Sequence, residues 1–438
     1  MSRKNPSAKC SVPSSSASPG SAASRGGSPG AYPAGADELL VALQTPMGNR
    51  LGLPALVWGK PGQGKTSFLE SLSSPTFPVH QVIASIHDPT DFGGMPFCDA
   101  DRVRMLPPEW AVDLAEAGRG ILLLDDITTA APAVQAALLR VVLERRVGCL
   151  QLPPEVRIIA AANPPEDLLG GWELSAPLAN RFLHIEWDLP AATFADALRH
   201  GFAPAELPEI DRELHSLAAA NWSGILATFL SVQPSLVNTT AAEGEQAYAS
   251  PRTWLDLVVN LMASCELLGQ APRAGDATCT PLCSRLLVGS VGSGPATAFL
   301  GFLKNLQFPD PDDILDGHAK LDLAKLRDDE LHTFFSALAN RVLARHRQGE
   351  ASALDATLVT LDLAEQVGRQ GRVDVVFPPL RRLASERAFQ QCLSLAEAQQ
   401  KTQELHQRIA AVFLDEDLVF LTQMVIQSGD KSGAKARK

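Results

Sequence analysis

The sequence lacks the features of a membrane-spanning or secreted protein. No apolar run reaches the roughly 18–20 residues that a membrane-spanning helix needs. Arg3 and Lys4 lie near the N-terminus, but no apolar segment follows them, so a secretory signal is not indicated. Of the seven cysteines, only Cys279 and Cys283 are close in sequence, and no histidine or cysteine pair completes a zinc pattern. We therefore expect free thiols in a reducing cytoplasm.

An excess of positive charge is also missing. The formal net charge is −11, which argues against a strongly nucleic-acid-binding surface but is compatible with a local basic pore. The composition, 45% apolar and 20% charged, is typical of a soluble globular protein. A length of 438 residues allows two or three domains.

A glycine-rich loop stands between an apolar run of strand type, residues 55–58, and a helical pattern, residues 67–72. The loop has the pattern G-x-x-x-x-G-K-[ST], whose backbone N–H groups cradle phosphates in this strand–loop–helix context. Lys65 would place a charge on the β- and γ-phosphates, and the Thr66 hydroxyl would ligate Mg²⁺. An ordinary glycine turn is the alternative. The predicted nucleotide-binding residues are Gly59, Lys60, Pro61, Gly62, Gln63, Gly64, Lys65, Thr66 and Ser67.

A second buried strand ends in two acids. Residues 121–124 are apolar, and Asp125 and Asp126 follow them. Such a strand delivers carboxylates to its C-terminal end, the edge where ligands bind in open α/β sheets. Asp125 would hold Mg²⁺, directly or through water, and Asp126 would orient or activate the attacking water. A simple turn is the alternative reading of the two acids.

Three further polar residues are candidates for the same chemistry. Asn163 ends an apolar strand, residues 156–162, and suits a water-positioning role; alternatively, it only starts a turn. Arg181 stands just before a strand, where it could reach a neighbouring subunit's γ-phosphate, or else form a surface ion pair. Arg252 lies in the first turn of a predicted helix, where a cation opposes the helix dipole, and such local conflicts tend to mark function.

Four expectations concern local structure. Residues 88–96 are rich in turn formers and predict an irregular segment. Thr128 or Thr129 is predicted to cap the following helix. Residues 271–295, rich in Gly, Pro and Ser, predict a loop, and residues 388–414 a long helix.

In this order, the motifs resemble AAA+ ATPases, most closely the MoxR type and its dynein-like relatives. The resemblance is strong over about a third of the chain, residues 50–190, and extends weakly to Arg252. It is carried by Gly59-Lys-Pro-Gly-Gln-Gly-Lys-Thr66, Asp91-Phe-Gly-Gly-Met-Pro96, Leu122-Leu-Leu-Asp-Asp126 with Ala131-Pro-Ala-Val-Gln135, Ala160-Ala-Ala-Asn-Pro164 and Leu174-Ser-Ala-Pro-Leu-Ala-Asn-Arg-Phe182.

The resemblance implies an α/β P-loop NTPase fold: a five-stranded parallel sheet flanked by helices, then an all-α lid and a further helical C-terminal region. The predicted segments are a disordered tail poor in large apolar residues (1–35), the nucleotide-binding domain (36–190), the lid (191–310), the C-terminal region (311–428) and a basic tail (429–438).

The resemblance also implies ATP and Mg²⁺ as cofactors; ATP rather than GTP follows from the family alone. Asn163 would be sensor 1, Arg252 sensor 2, and Arg181 the arginine finger of the adjacent subunit in a ring, usually a hexamer. Residues 91–96 would belong to the helix-2 insert, which lines or gates the ring. Family members often act as chaperone-like remodellers alongside proteins with a von Willebrand factor A domain.

One residue departs from the family pattern, which usually has Glu where this chain has Asp126. Its carboxylate lies about 1.5 Å further from the water, and misplacement on this scale costs about a hundredfold in rate. Besides an ATP-hydrolysing remodeller, we therefore consider a nucleotide-dependent assembly module with slow or no hydrolysis. A third reading, a motor on DNA, is disfavoured by the acidic balance and by the lack of a DNA-binding motif.

Overall fold

Five parallel strands form the central sheet of the computed structural model. They are β1 (Ala55–Trp58), β2 (Val79–Ile83), β3 (Arg119–Asp125), β4 (Glu155–Ala162) and β5 (Leu183–Glu186). Their order across the sheet is β5-β1-β4-β3-β2, so β4 lies between β1 and β3. The predicted sheet is confirmed. The structure describes residues 32–99, 101–164, 172, 174–202, 204–242, 244–272, 279–305, 311–349 and 352–385.

Helices cover both faces of the sheet. Those of the α/β part are α1 (Ala36–Gln44), α2 (Lys65–Glu70), α3 (Pro89–Gly93), α4 (Glu109–Ala117), α5 (Pro132–Glu144) and α6 (Ala176–Ala179). Short antiparallel hairpins lie outside the sheet, and they pair Pro46–Met47 with Arg50–Leu51, Met95–Asp99 with Arg102–Leu106, and Arg146–Val147 with Leu150–Gln151.

The rest of the described chain is helical, as predicted. It comprises α7 (Ala191–His200), α8 (Arg212–Val232), a π-helical turn (Thr253–Val258) that continues into α9 (Val259–Leu267), α10 (Pro281–Val291), α11 (Ser293–Asn305), α12 (Pro311–Leu315), α13 (Asp328–Gln348), α14 (Ala353–Arg369) and α15 (Val373–Ser385). No helix in these described ranges is both long enough and apolar enough to cross a bilayer.

Alternate residues of each strand feed two separate cores, because successive side chains of a strand point to opposite faces. On β3, Leu122 and Leu124 pack in the core that contains Val134 and Leu138 of α5. Leu123 packs on the other face, in the core that contains Trp254 from the lid. The helical part predicted to be a lid therefore shares a core with the sheet, and its helix α10 packs against β5.

Close helix–strand packing explains one wrong prediction. Within the predicted loop, residues 271–295, helix α10 occupies residues 281–291 and helix α11 begins at Ser293. Residues 273–278 of that range lie outside the described part of the chain. Thr280 caps α10 by accepting the Cys283 N–H, with Pro281 at the first helical position. Gly289 lies against β5, where a Cβ would be 2.0 Å from the carbonyl oxygen of His184. Position 289 is therefore a glycine because the helix packs closely on the sheet, and not because the chain forms a loop there.

Two other local predictions are wrong in detail. The segment predicted to be irregular contains helix α3, which Asp88 and Asp91 stabilise with a reciprocal capping box, and it then enters a hairpin strand. Helix α5 has Ala131, not a threonine, at its N-cap. Thr129 instead lies in a 3₁₀ turn, Ile127–Thr129, and donates to the carbonyl oxygen of Asp126.

The predicted tail is shorter than expected at its inner end. Tyr32 donates from its hydroxyl to the carbonyl oxygen of Pro204, and Ala34 N–H donates to the carbonyl oxygen of Asp188 at 2.8 Å. Residues 32–35 thus lie on the folded domain. The predicted long helix at 388–414, residues 1–31 and the basic tail lie outside the described residues.

Candidate active site

The predicted phosphate-binding loop connects β1 to α2 and lies open to solvent. Gly62 and Gly64 have φ of 80° and 76°, the left-handed region that favours glycine. Gly64 is the N-cap of α2 and no side chain caps this end, so the first N–H groups of the helix are free for a ligand. A helix N-terminus with unsatisfied N–H groups suits phosphate. Ser67 is exposed in the first turn of α2.

Lys65 lies where the loop meets the ends of the strands. Its Nζ donates to the carbonyl oxygens of Gly59 and Lys60, the latter at 3.1 Å, and approaches Asn163 Oδ1 at 3.4 Å. Burial lowers the pKa of Lys65, and the carboxylates of Asp125 and Asp126 oppose this shift. The ammonium is thus held at the site by neighbours of opposite charge.

Thr66 and Asp125 form the expected pair of oxygen ligands. Thr66 Oγ1 donates to Asp125 Oδ2 at 3.1 Å, and Gln81 Nε2 of β2 donates to the same oxygen at 2.7 Å. A hydroxyl and a carboxylate are ligands that suit Mg²⁺, which keeps several waters and binds through one or two carboxylates plus phosphates. In the described residues no cluster of three or more His, Cys, Asp or Glu side chains could hold a metal. The donor set of Thr66 and Asp125 fits Mg²⁺ bound together with a nucleotide.

Asp126 has an uncommon backbone conformation. Its φ of 53° and ψ of 42° are left-handed, a region where Asp and Asn are favoured among residues with a side chain. Asn163 Nδ2 lies 3.5 Å from Asp126 Oδ1, at the outer limit of a hydrogen bond. Burial raises the pKa of Asp126, the charge of Asp125 adds to this, and Lys65 opposes it.

Arg181 lies at the amino ends of the strands, whereas the phosphate loop lies at their carboxyl ends. Leu183 pairs with Ala55, so Arg181 is level with residue 53, while the loop begins at Gly59. At about 3.3 Å per residue this separation is about 20 Å, beyond the roughly 7 Å reach of an arginine side chain. One terminal nitrogen of Arg181 donates to the carbonyl oxygen of Pro177, and its Nε is buried without a partner in the described structure.

Arg252 lies beside Arg181 and not beside the loop of its own chain. Ser250 Oγ donates to Asn180 Oδ1 at 2.8 Å, and the Tyr248 hydroxyl donates to the carbonyl oxygen of Ala176 at 3.1 Å. These bonds hold the start of the Arg252 helix against α6. Burial lowers the pKa of Arg181, and the neighbouring charge of Arg252 lowers it further. The structure thus groups the predicted site residues in two sets. One surrounds the phosphate loop at the carboxyl ends of the strands, and the other, Arg181 and Arg252, lies at their amino ends.

Sequence reasoning missed two residues that contact the phosphate loop and Asp125. Gln81 was not singled out, although a polar residue within an edge strand beside β3 was a usable signal. Asp188 was also missed; it accepts from Gln63 Nε2 at 2.8 Å. No local pattern marks it, because the contact joins residues 125 positions apart.

Comparison with known proteins agrees with the motifs. Residues 54–182 match the sequence model of the AAA domain of the dynein-related subfamily. No curated protein matches the chain. Among solved structures, a provisionally assigned ATPase from Cytophaga hutchinsonii has 18% identity and a TM-score of 0.32, over 53% of this chain and 78% of that one. A full-length MCM homolog from Methanopyrus kandleri has 19% identity and a TM-score of 0.34, over 61% of this chain and about half, 53%, of its own length.

The assignment to a family rests on the subfamily match, which begins just before β1 and ends just before β5. It covers both acids of β3, Asn163 and Arg181, and every residue of the phosphate loop. The predicted resemblance is thereby confirmed for this part of the chain: residues 54–182 form an AAA domain of the dynein-related subfamily.

Proposed function

We propose that the chain binds and hydrolyses ATP, with Mg²⁺, at the carboxyl edge of its sheet. The observation that carries this proposal is the convergence of Lys65, Thr66, Asp125, Asp126 and Asn163 from three adjacent strands onto one loop. Adjacent parallel strands bring their carboxyl ends together, but the fold does not require the residues there to be a lysine, a threonine, two acids and an amide. A phosphate, a divalent cation and a water are the ligands that use all five.

Each residue has a distinct part in this chemistry. The loop N–H groups and Lys65 bind the β- and γ-phosphates. Thr66 and Asp125 would hold Mg²⁺, which when bound neutralises charge that develops on the phosphate oxygens. Asp126 accepts a proton from, or orients, the attacking water, and Asn163 fixes that water from the side of β4. The contacts of Asn163 with both Lys65 and Asp126 support this last role.

We further propose that the complete site needs two copies of the chain. Arg181 lies about 20 Å from its own phosphate loop. Arg252 lies beside Arg181, so we assign both arginines to a nucleotide held by a neighbouring copy. A head-to-tail contact repeated around an axis closes a ring. A hexameric ring that remodels a protein partner in a chaperone-like manner, with a von Willebrand factor A domain protein as one candidate, is the function that the family resemblance favours.

A second function has its own support in the geometry of Asp126. This carboxylate is shorter than the usual Glu, and its contact with Asn163 is long, at 3.5 Å. Both features place the base poorly for the attacking water. On this proposal ATP binding assembles the copies and exposes a partner surface, while hydrolysis is slow or absent.

The test compares ATP binding, turnover and particle mass for the wild type, Lys65→Ala and a matched control, Lys320→Ala. Lys320 is an exposed lysine of the C-terminal region, so its loss removes the same charge away from the loop. Binding and turnover that are lost only in Lys65→Ala support the enzyme. Binding and ATP-dependent assembly with turnover no faster than that of Lys65→Ala support the assembly module. Failure of the wild type to bind ATP overturns both proposals.

A further inference from the structure

The side chain of Gln63 is placed differently from the rest of the phosphate loop. Its Oε1 accepts the backbone N–H of Lys60 at 2.9 Å, and its Nε2 donates to Asp188 Oδ1 at 2.8 Å. One amide therefore bridges the entry of its own loop and the segment that follows β5. Both bonds have good length, and each uses a different end of the amide.

A third bond reaches the same residue through its backbone. Trp187 Nε1 donates to the Gln63 carbonyl oxygen at 3.0 Å. The approach of this segment to the loop is close, since a Cβ on Gly59 would lie 2.8 Å from the Trp187 carbonyl oxygen. Trp187 itself is buried and packs edge-on to Phe68 of α2, with ring centroids 5.1 Å apart. The loop is thus supported along one side by residues 187 and 188.

Asp188 is exposed, but its backbone is paired with the segment before α1. It makes both bonds of a bridge with Ala34: the Ala34 N–H donates at 2.8 Å and the Asp188 N–H donates at 3.3 Å. A bond from Gln63 to this paired segment restricts the loop before any ligand binds. Preorganised binding groups gain affinity because less order is lost on binding.

We propose that Gln63 is the positioning residue of the phosphate loop, and that Asp188 is the anchor through which it acts. Together they hold the loop in the shape in which its N–H groups converge on phosphate. The inference rests on the proposed function, and it assigns to Gln63 and Asp188 roles that the loop motif does not contain. It concerns ground-state binding, so loss of the bond raises KM and leaves kcat nearly unchanged.

The test uses the sign of an electrostatic effect. Asp188 is a negative charge near a site for a polyanion, so removal of that charge alone tightens ATP binding. Asp188→Asn removes the charge but keeps an oxygen that accepts from Gln63. Asp188→Ala removes both. We expect Asp188→Asn to bind ATP as tightly as the wild type or more tightly, and Asp188→Ala to bind it about 3- to 10-fold more weakly, the size of one hydrogen bond.

Gln63→Met extends the test, because it keeps the side-chain volume and removes both amide bonds. We expect it to weaken ATP binding by about 10-fold or more. The double variant with Asp188→Ala should bind no more weakly than Gln63→Met alone, since the two residues act through one bond. Thermal unfolding of each variant separates loss of fold from loss of affinity. If Asp188 were purely structural, Asp188→Ala would lower Tm, but its ATP dissociation constant would equal that of Asp188→Asn.

Two results overturn the positioning role while the proposed function stands. One is a wild type that binds ATP together with an Asp188→Ala variant that binds it as tightly as Asp188→Asn does. The other is a double variant whose losses add. A wild type without ATP binding overturns the proposed function itself, so the two failures are distinguishable.

Discussion

Mixing two inactive variants tests whether the site is shared between copies. Lys65→Ala destroys the phosphate loop but keeps Arg181, and Arg181→Ala keeps the loop but removes the arginine. Loss of an arginine finger costs about a thousandfold or more in kcat. Because Arg181 is about 20 Å from its own loop, neither variant can repair itself. Each can repair the other only across an interface.

The magnitude follows from the arrangement. In an equimolar mixture that assembles at random, about half of the copies contribute a working loop and about half of their neighbours contribute Arg181. About a quarter of the interfaces are then complete, so the mixture should show about a quarter of the wild-type turnover per copy. The assay is steady-state phosphate release, with each variant alone as the baseline. A mixture that assembles yet shows no more than the sum of the separate variants refutes the shared site.

Three further predictions concern single residues. Asp126→Asn should retain ATP binding and lose about a hundredfold or more of the turnover, because it keeps the shape and removes the base; turnover within about threefold of the wild type contradicts this. Burial raises the pKa of Asp126 in the free chain, and the proposed base acts when ionised, so kcat/KM should begin to fall, as the pH is lowered, at a pH above the ordinary aspartate pKa of about 3.9. A fall in kcat/KM that begins only at or below that pH contradicts the assignment. Gly289→Ala should lower the free energy of unfolding in urea by about 1–3 kcal/mol, because the new Cβ meets the His184 carbonyl oxygen. The control variant Gly301→Ala places its Cβ in open space, so it should stabilise α11 by up to about 1 kcal/mol. Equal shifts in the two glycine variants refute the packing argument.

Much of the sheet domain could be predicted because its signals are local. The apolar runs of β3 and β4 continue for several residues and are followed by polar side chains, and that of β1 leads into the glycine loop. This is what a strand buried on both faces and open at its carboxyl end requires. Lys65, Thr66 and Asp125 meet because parallel strands bring their ends to one edge. The order of strands and motifs along the chain was therefore enough to predict that these residues lie close together.

The lid was harder to predict because its glycines have tertiary causes. Gly289 is required by the carbonyl oxygen of His184, more than a hundred residues away in sequence. A composition rich in Gly, Pro and Ser therefore indicated a loop where α10 and the start of α11 lie. The placement of Arg252 beside Arg181 has the same origin, since bonds from Ser250 and Tyr248 to α6 and its end determine it.

The conformation of Asp126 connects sequence and chemistry in a way that the sequence alone did not reveal. The departure from Glu indicated a shorter reach, and the left-handed backbone adds a second reason for Asp at this position. A Glu at φ of 53° pays a steric cost that Asp reduces. Asp126→Glu thus changes the reach and the backbone preference together, which makes Asp126→Asn the cleaner probe of the base.

The most direct test of the central claim is steady-state ATP turnover by the purified chain with Mg²⁺, measured across protein concentration beside Lys65→Ala. The proposed shared-site ATPase predicts turnover per copy that rises with concentration as copies assemble, and that is absent in Lys65→Ala. Turnover equal to that of Lys65→Ala at every concentration contradicts hydrolysis at this site. Turnover per copy that is independent of concentration down to fully separated chains contradicts the shared site.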